Sequence, residues 1–310
     1  MIVRAKRVFY ANYSVFLLIA LIVVFAFTTP NFATLDNFMV ILRQTVLVGV
    51  ATIGMTFVIT SGQIDLSVGG VVALGSMAAA LALKAGSGIL LASLFAVAIG
   101  VGFGFANGLL VARIRMPSFL VTLGTSSIAY GLAQTITSQR PVTLLDPNFV
   151  LIWGNFMVGP VPMLVLWGAA AFSVFYFIYQ FTPFGNYIRA VGGNSTAAQY
   201  SGIDTKKIII TVMVISGVLA GLCALLMSAR VNQGRPDVGT MLAMDAITAT
   251  VLGGTPFSGG KGSLPRAMIG ALVLSVLTNA LIIMGVQTTV QSIVKGVIIL
   301  VAVAVSDKGR

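Results

Sequence analysis

Apolar runs of membrane length follow one another along almost the whole chain, separated by short polar interruptions. A bilayer's hydrocarbon core needs about 20 consecutive apolar residues per helical crossing. On that measure the pattern predicts ten spans, at roughly 13–29, 38–60, 66–84, 88–112, 118–138, 162–181, 207–229, 241–255, 266–285 and 288–305. The eighth is short for a crossing and holds Asp245, so it reads as a half-helix or a re-entrant piece. The fold class expected is an all-α polytopic membrane protein with one transmembrane domain over residues 1–310.

One interruption stands out. Residues 61–70 read SGQIDLSVGG, between the apolar runs 46–60 and 71–83. A carboxylate at bilayer depth costs roughly 3 kcal/mol on insertion scales, so Asp65 must face protein or a watery path. It either caps the helix that follows, where its charge meets the helix dipole, or lines that path. Elsewhere small residues recur at helical spacing, Gly100, Gly104 and Gly108, then Gly217 and Gly221, which lets helix backbones approach closely in lipid.

Composition narrows the class. The chain is 58% hydrophobic and 8% charged, against about a quarter charged in soluble domains. Its net charge of +11 fits loops that contact anionic headgroups. Nucleic acid is not an expected partner, because no basic stripe is interleaved with aromatics. The acidic residues are all aspartate, and there is no histidine. A catalytic triad or a histidine metal site cannot be built from such material, which argues against a membrane enzyme. The single cysteine, Cys223, excludes an internal disulfide and a multi-cysteine metal site. The run 15–27 after Arg4, Lys6 and Arg7 lacks a small-residue cleavage site and reads as an uncleaved first span.

Charge also sets an orientation. With a cytoplasmic N-terminus, the inside segments hold Arg4, Lys6, Arg7, Arg113, Arg115, Arg189, Lys206, Lys207, Lys261, Arg266, Lys308 and Arg310, twelve of the 18 basic residues. The outside segments hold Arg43, Lys84, Arg140, Arg230 and Arg235, and Lys295 falls within the last span. Both termini are expected in the cytoplasm. Ten spans divide five and five around residues 139–161, so the second half would run opposite to the first as an inverted repeat. On this reading each half carries one intramembrane aspartate beside a glycine-rich break, Asp65 with 61–70 and Asp245 with 253–262.

Two further segments invite a function. SGGKGS (258–263) looks like a phosphate loop, but Lys261 is followed by Gly262 where serine or threonine is needed, and a tight turn between spans is the better reading. The loop 182–206 contains Pro183 and Gly185, then Gly192 and Gly193, which permit a sharp turn, and Asn194 and Ser195, which can cap a helix. STAAQYSG (195–202) then makes a short helix with a small-residue face of Ala197, Ala198 and Ser201, stopped by Gly202. Such a helix suits a groove on another protein.

SGQIDLSVGG (61–70), FGNYIRAVGGNSTAAQYSGI (184–203) and MDAITATVLGGTPFSGGKGS (244–263), in that order and at that spacing, resemble the permease subunits of ribose/xylose-type ABC importers, within the branched-chain amino acid and sugar permease superfamily. The likeness runs from about residue 30 to 307. It implies a bacterial inner-membrane permease that pairs with a second copy or a sister permease, docks on a cytoplasmic ATPase and receives a monosaccharide or related polyol from a periplasmic binding protein. ATP and magnesium would belong to the ATPase, with no cofactor on this chain. The coupling role would fall on Gly192, Gly193, Asn194, Ala197, Ala198, Ser201 and Gly202. A sugar path needs neutral donors and acceptors, for which Ser61, Gln63, Asp65, Ser67 and Asn279 are the candidates. Gln63 replaces the family's usual glycine. The rival expectation is an ion-coupled transporter acting alone, with Asp65 and Asp245 as its titratable groups.

Overall fold

Lipid offers no hydrogen bonds to the backbone, so an apolar chain of this kind must satisfy its amides within helices. The computed structural model describes residues 13–143 and 146–308, and Arg4, Lys6, Arg7 and Arg310 of the charge reading lie outside the described residues. The helices are α1 (Tyr13–Thr28), α2 (Leu35–Thr60), α3 (Val68–Lys84), α4 (Gly88–Ala112), α5 (Ser118–Ile136), the short α6 (Pro147–Val150), α7 (Met163–Phe181), α8 (Pro183–Gly193), α9 (Ser195–Tyr200), α10 (Thr205–Val231), α11 (Leu242–Leu252), α12 (Leu264–Ile283) and α13 (Thr288–Lys308). Among the described residues, α2, α4, α5, α7, α10 and α12 are the six long and apolar enough to cross a membrane, while α1, α3 and α11 are shorter apolar helices.

The expected eighth span contracts to α11, 11 residues, about 16 Å of helix and half a crossing. The connector around 139–161 is more than a plain loop. Its strand β1 (Val142–Thr143) pairs antiparallel with β4 (Gln233–Gly234), and β2 (Met157–Val158) forms a hairpin with β3 (Val161–Pro162).

The core is built around α2 and α10. Nearly every residue of α2 from Thr45 onward is buried. This helix packs on α12, α11 and α7, whereas α10 packs on α4 and α3, and the two touch each other. Gly100 and Gly217 bring the α4 and α10 backbones into direct contact; Gly104 meets Met213 and Gly221 meets Val97 in the same seam. The glycine spacing thus serves the close packing that it predicts. Leu90, Leu94, Phe95, Leu120, Leu123, Val174 and Phe177 are exposed, a lipid-facing surface rather than an uncovered core.

Polar segments collect at the two ends of the bundle. One end carries 113–117, 182–204 and 253–263, and α2 finishes there, since the Gly260 N–H donates to the Thr60 carbonyl at 2.9 Å. Seven basic residues belong to that end: Arg113, Arg115, Arg189, Lys206, Lys207, Lys261 and Arg266. Two interruptions break the helical pattern, 61–67 entering the bundle from that end and 232–241 from the other. They converge where the Gly239 carbonyl lies against Gly69 at the start of α3.

Candidate functional site

The first interruption is closed by hydrogen bonds. Past Thr60 the chain turns inward in extended form, and its amides dock on α5: Ile64 N–H donates to Ser118 Oγ at 3.1 Å and Leu66 N–H to Thr122 Oγ1 at 3.0 Å. Asp65, 2% exposed, accepts the Ser67 N–H (2.9 Å) and the Ser67 hydroxyl (2.6 Å) on Oδ1, and the Ser216 hydroxyl of α10 (2.6 Å) on Oδ2. The Asn107 amide of α4 donates to Ser67 Oγ at 2.9 Å, and Thr125 of α5 donates to Asn107 Oδ1 at 2.8 Å. The carboxylate therefore ties the start of α3 to α10, Ser67 and Asn107 extend the network to α4 and α5, and among the described residues no cation pairs with Asp65. Ser216 lies 11 residues into α10, so the network sits about 16 Å inside the bundle.

The other path candidates lie apart from that carboxylate or away from the network. Ser61 is buried and donates to its own helix at Val58 O, 2.7 Å, and Gln63 is half-buried with its N–H on the same carbonyl. Asn279 lies elsewhere: its Nδ2 donates at 2.8 Å to Asn37 on the first turn of α2, about 35 Å along that helix from Ser61.

The loop 182–206 is largely helical. Gly192 and Gly193 end α8 instead of turning the chain; the turn falls at Asn194, whose Oδ1 accepts the Ala197 N–H at 2.9 Å and starts α9. Gly202, at φ +84°, stops α9. The expected small-residue face divides. Ala197 and Ser201 are exposed, but Ala198 points into the core, because a six-residue helix docked on α8 and α10 must bury one side. Gly192 abuts both the Thr60 carbonyl and the Gly260 amide, a place where a Cβ cannot fit, whereas Gly193 is open. Tyr179, buried at the end of α7, bonds Thr60 Oγ1 at 3.2 Å and carries the Arg189 guanidinium of α8 over its ring at 4.5 Å. The segment, the end of α2 and the 253–263 turn are thus one packed junction. From it projects Tyr200, 90% exposed, a residue that sequence reading passed over.

The second interruption precedes α11, and Asp245 lies on that helix's first turn. The expected pairing of Asp245 with 253–262 fails for this reason: those residues follow the far end of α11. Asp245 Oδ2 accepts Lys295 Nζ of α13 at 2.9 Å, with both side chains mostly buried. The pair faces a cavity of about 370 Å³ lined by Gln44, Arg230, Thr240, Ser275 and Thr278 among apolar neighbours such as Leu47, Leu274 and Ile282. Gln44 Oε1 is buried there without a partner. A lone lysine in the last apolar run and a lone aspartate in the eighth were signal enough for the pair, because opposite charges within a membrane seek each other. Gln44 gave no such signal.

Comparison with known proteins follows the same lines. The family model for the branched-chain amino acid transport system / permease component matches residues 37–303. The ribose import permease protein of Haemophilus influenzae is 38% identical over 291 residues, 92% of this chain and 90% of that protein. The ribose import permease protein of Escherichia coli K12 is 37% identical over 300 residues, covering 95% and 93%. The D-allose transport system permease protein of the same strain is 36% identical over 302 residues, covering 96% and 91%.

Proposed function

This chain belongs to the branched-chain amino acid transport system / permease component family, and from that premise we propose that it carries a monosaccharide or related polyol through the membrane as the permease subunit of an ATP-binding cassette importer. It is a multi-pass protein of the inner membrane and works as a transport subunit rather than an enzyme. Residues 1–310 act as one transmembrane domain, paired with a second copy or a sister permease. A periplasmic binding protein delivers the solute. A cytoplasmic ATPase, which holds ATP and magnesium, drives the cycle, and this chain needs no cofactor.

The observation that carries this reading is the packed junction of Thr60, Gly192 and Gly260 beneath the exposed α9. A push on α9 by a partner reaches the end of α2 and the α11–α12 turn through backbone contacts that have no slack. The seven basic residues at that end favour a cytoplasmic side there. The reciprocal packing of α2 on α11 and α12, and of α10 on α3 and α4, supports an inverted repeat, with α2 to α5 answered by α10 to α13. Rocking of this chain against its partner permease would alternate access between bistable states.

Uptake into proteoliposomes holding permease, ATPase and binding protein tests the reading: it requires ATP and all three components. Gly192→Leu abolishes uptake while ATP hydrolysis continues, and Gly193→Leu, where a side chain has room, costs much less. Equal uptake by wild type and Gly192→Leu would remove the junction from the mechanism. A second reading, an ion-coupled carrier acting alone, draws on the Asp245–Lys295 pair. Uptake by the isolated chain under a pH gradient without ATP would establish it instead.

A further inference from the structure

We infer that the cavity between α2 and α10–α13 is a binding station for a neutral polyhydroxylated solute, held by Gln44, Asp245, Thr278 and Lys295. The inference rests on the import reading above. Its first support is size. Small-molecule sites begin at about 300 Å³, and this cavity, at about 370 Å³, suits a single sugar ring.

Its second support is unused hydrogen-bonding capacity. Lys295 Nζ offers three donors and gives one to Asp245 Oδ2. Asp245 Oδ1 has no partner among the described residues, and Gln44 Oε1 is buried without one. A buried polar group left unsatisfied costs about 1–3 kcal/mol. A sugar hydroxyl both donates and accepts, so adjacent hydroxyls can satisfy the free carboxylate oxygen, the free ammonium protons and the glutamine carbonyl together. The apolar wall of Leu47, Leu274 and Ile282 matches the C–H face of such a ring.

Charge narrows the ligand. Asp245 and Lys295 neutralise each other and Arg230 leaves the wall one positive charge over, so a cation would have to break the pair to gain a counter-charge. A neutral solute can bridge the pair without doing so. No group of side chains suited to a metal ion occurs among the described residues.

Depth gives the third support. Asp245 sits on the first turn of a helix that begins inside the bundle, and Thr240, Met241 and Leu242 of its N-terminus line the cavity. Interrupted helices whose ends meet near the middle of the bilayer are where transporters place their solutes.

The test uses the complete complex in proteoliposomes with Thr278→Cys introduced beside the buried, unreactive Cys223. The rate of modification by a small charged methanethiosulfonate reagent is measured with and without D-ribose, D-allose, L-arabinose and D-xylose. The sugar that the complex imports slows modification several-fold, and an equal concentration of a sugar that is not imported has less effect. In parallel, Gln44→Leu lowers the sugar moved per ATP hydrolysed by about tenfold, as loss of one hydrogen bond of roughly 1.4 kcal/mol predicts. No modification at all, or modification indifferent to a sugar that the complex does import, overturns the site and leaves the import reading standing. A complex that imports none of these sugars overturns both.

Discussion

Asp65 and Asp245 are both held within the helical bundle, each beside an interruption that enters it, from opposite ends. Asp65 is buried and wrapped by hydroxyl and amide donors from the start of α3 and from α10, with Asn107 and Thr125 bracing those donors. Asp245 has one partner, the Lys295 ammonium, and looks into open space. The difference teaches how to read a buried charge. A carboxylate whose two oxygens are both engaged by its own fold is part of the framework. One with an acceptor left over, beside a cavity, has something still to bind.

The largest expected effect comes from breaking the closed side. Asp65→Ala strands the hydroxyls of Ser67 and Ser216 and frees the start of α3, at a cost of about 3–5 kcal/mol. Cys223 reports it: the thiol is buried, so a thiol-reactive dye lights up as the detergent-solubilised permease unfolds, and the midpoint falls sharply. On the open side Asp245→Asn leaves an ammonium partly buried without a counter-charge and lowers stability by about 1–3 kcal/mol. The double variant Asp245→Asn with Lys295→Gln recovers most of that, as neutral replacement of buried pairs does, yet its uptake stays low. A double variant with full uptake would erase the distinction between the two aspartates. The smallest effect is at the rim of the closed network, where Thr125→Val costs about 1 kcal/mol in the same dye measurement and leaves transport intact in the surviving protein.

Much of this was legible in the sequence, and the reasons are physical. Apolar runs report helices because lipid permits little else, and the glycine spacing reported close helix packing, though the partnership of α4 with α10 is visible only in the structure. The α9 cap at Asn194 and the stop at Gly202 were legible because they are local. Depth was not. Residues 232–241 read as an ordinary polar connector, and nothing in their composition says that they run down beside α3 to meet Gly69. Proximity along the chain pairs Asp245 with 253–262, but seven helical residues lie between it and Gly253, eight steps of rise or about 12 Å. The inward turn of Ala198 escaped for a similar reason, since which side of a short helix is buried depends on what it docks against.

The α4–α10 seam has a mechanical consequence. Two backbones that touch through glycine have a single register, because sliding by one residue would drive Val101 or Phe103 into space that only hydrogen fills. The pair has one setting rather than a continuous range, and behaves as one rod. Whatever moves during a transport cycle must therefore move around that rod rather than through it.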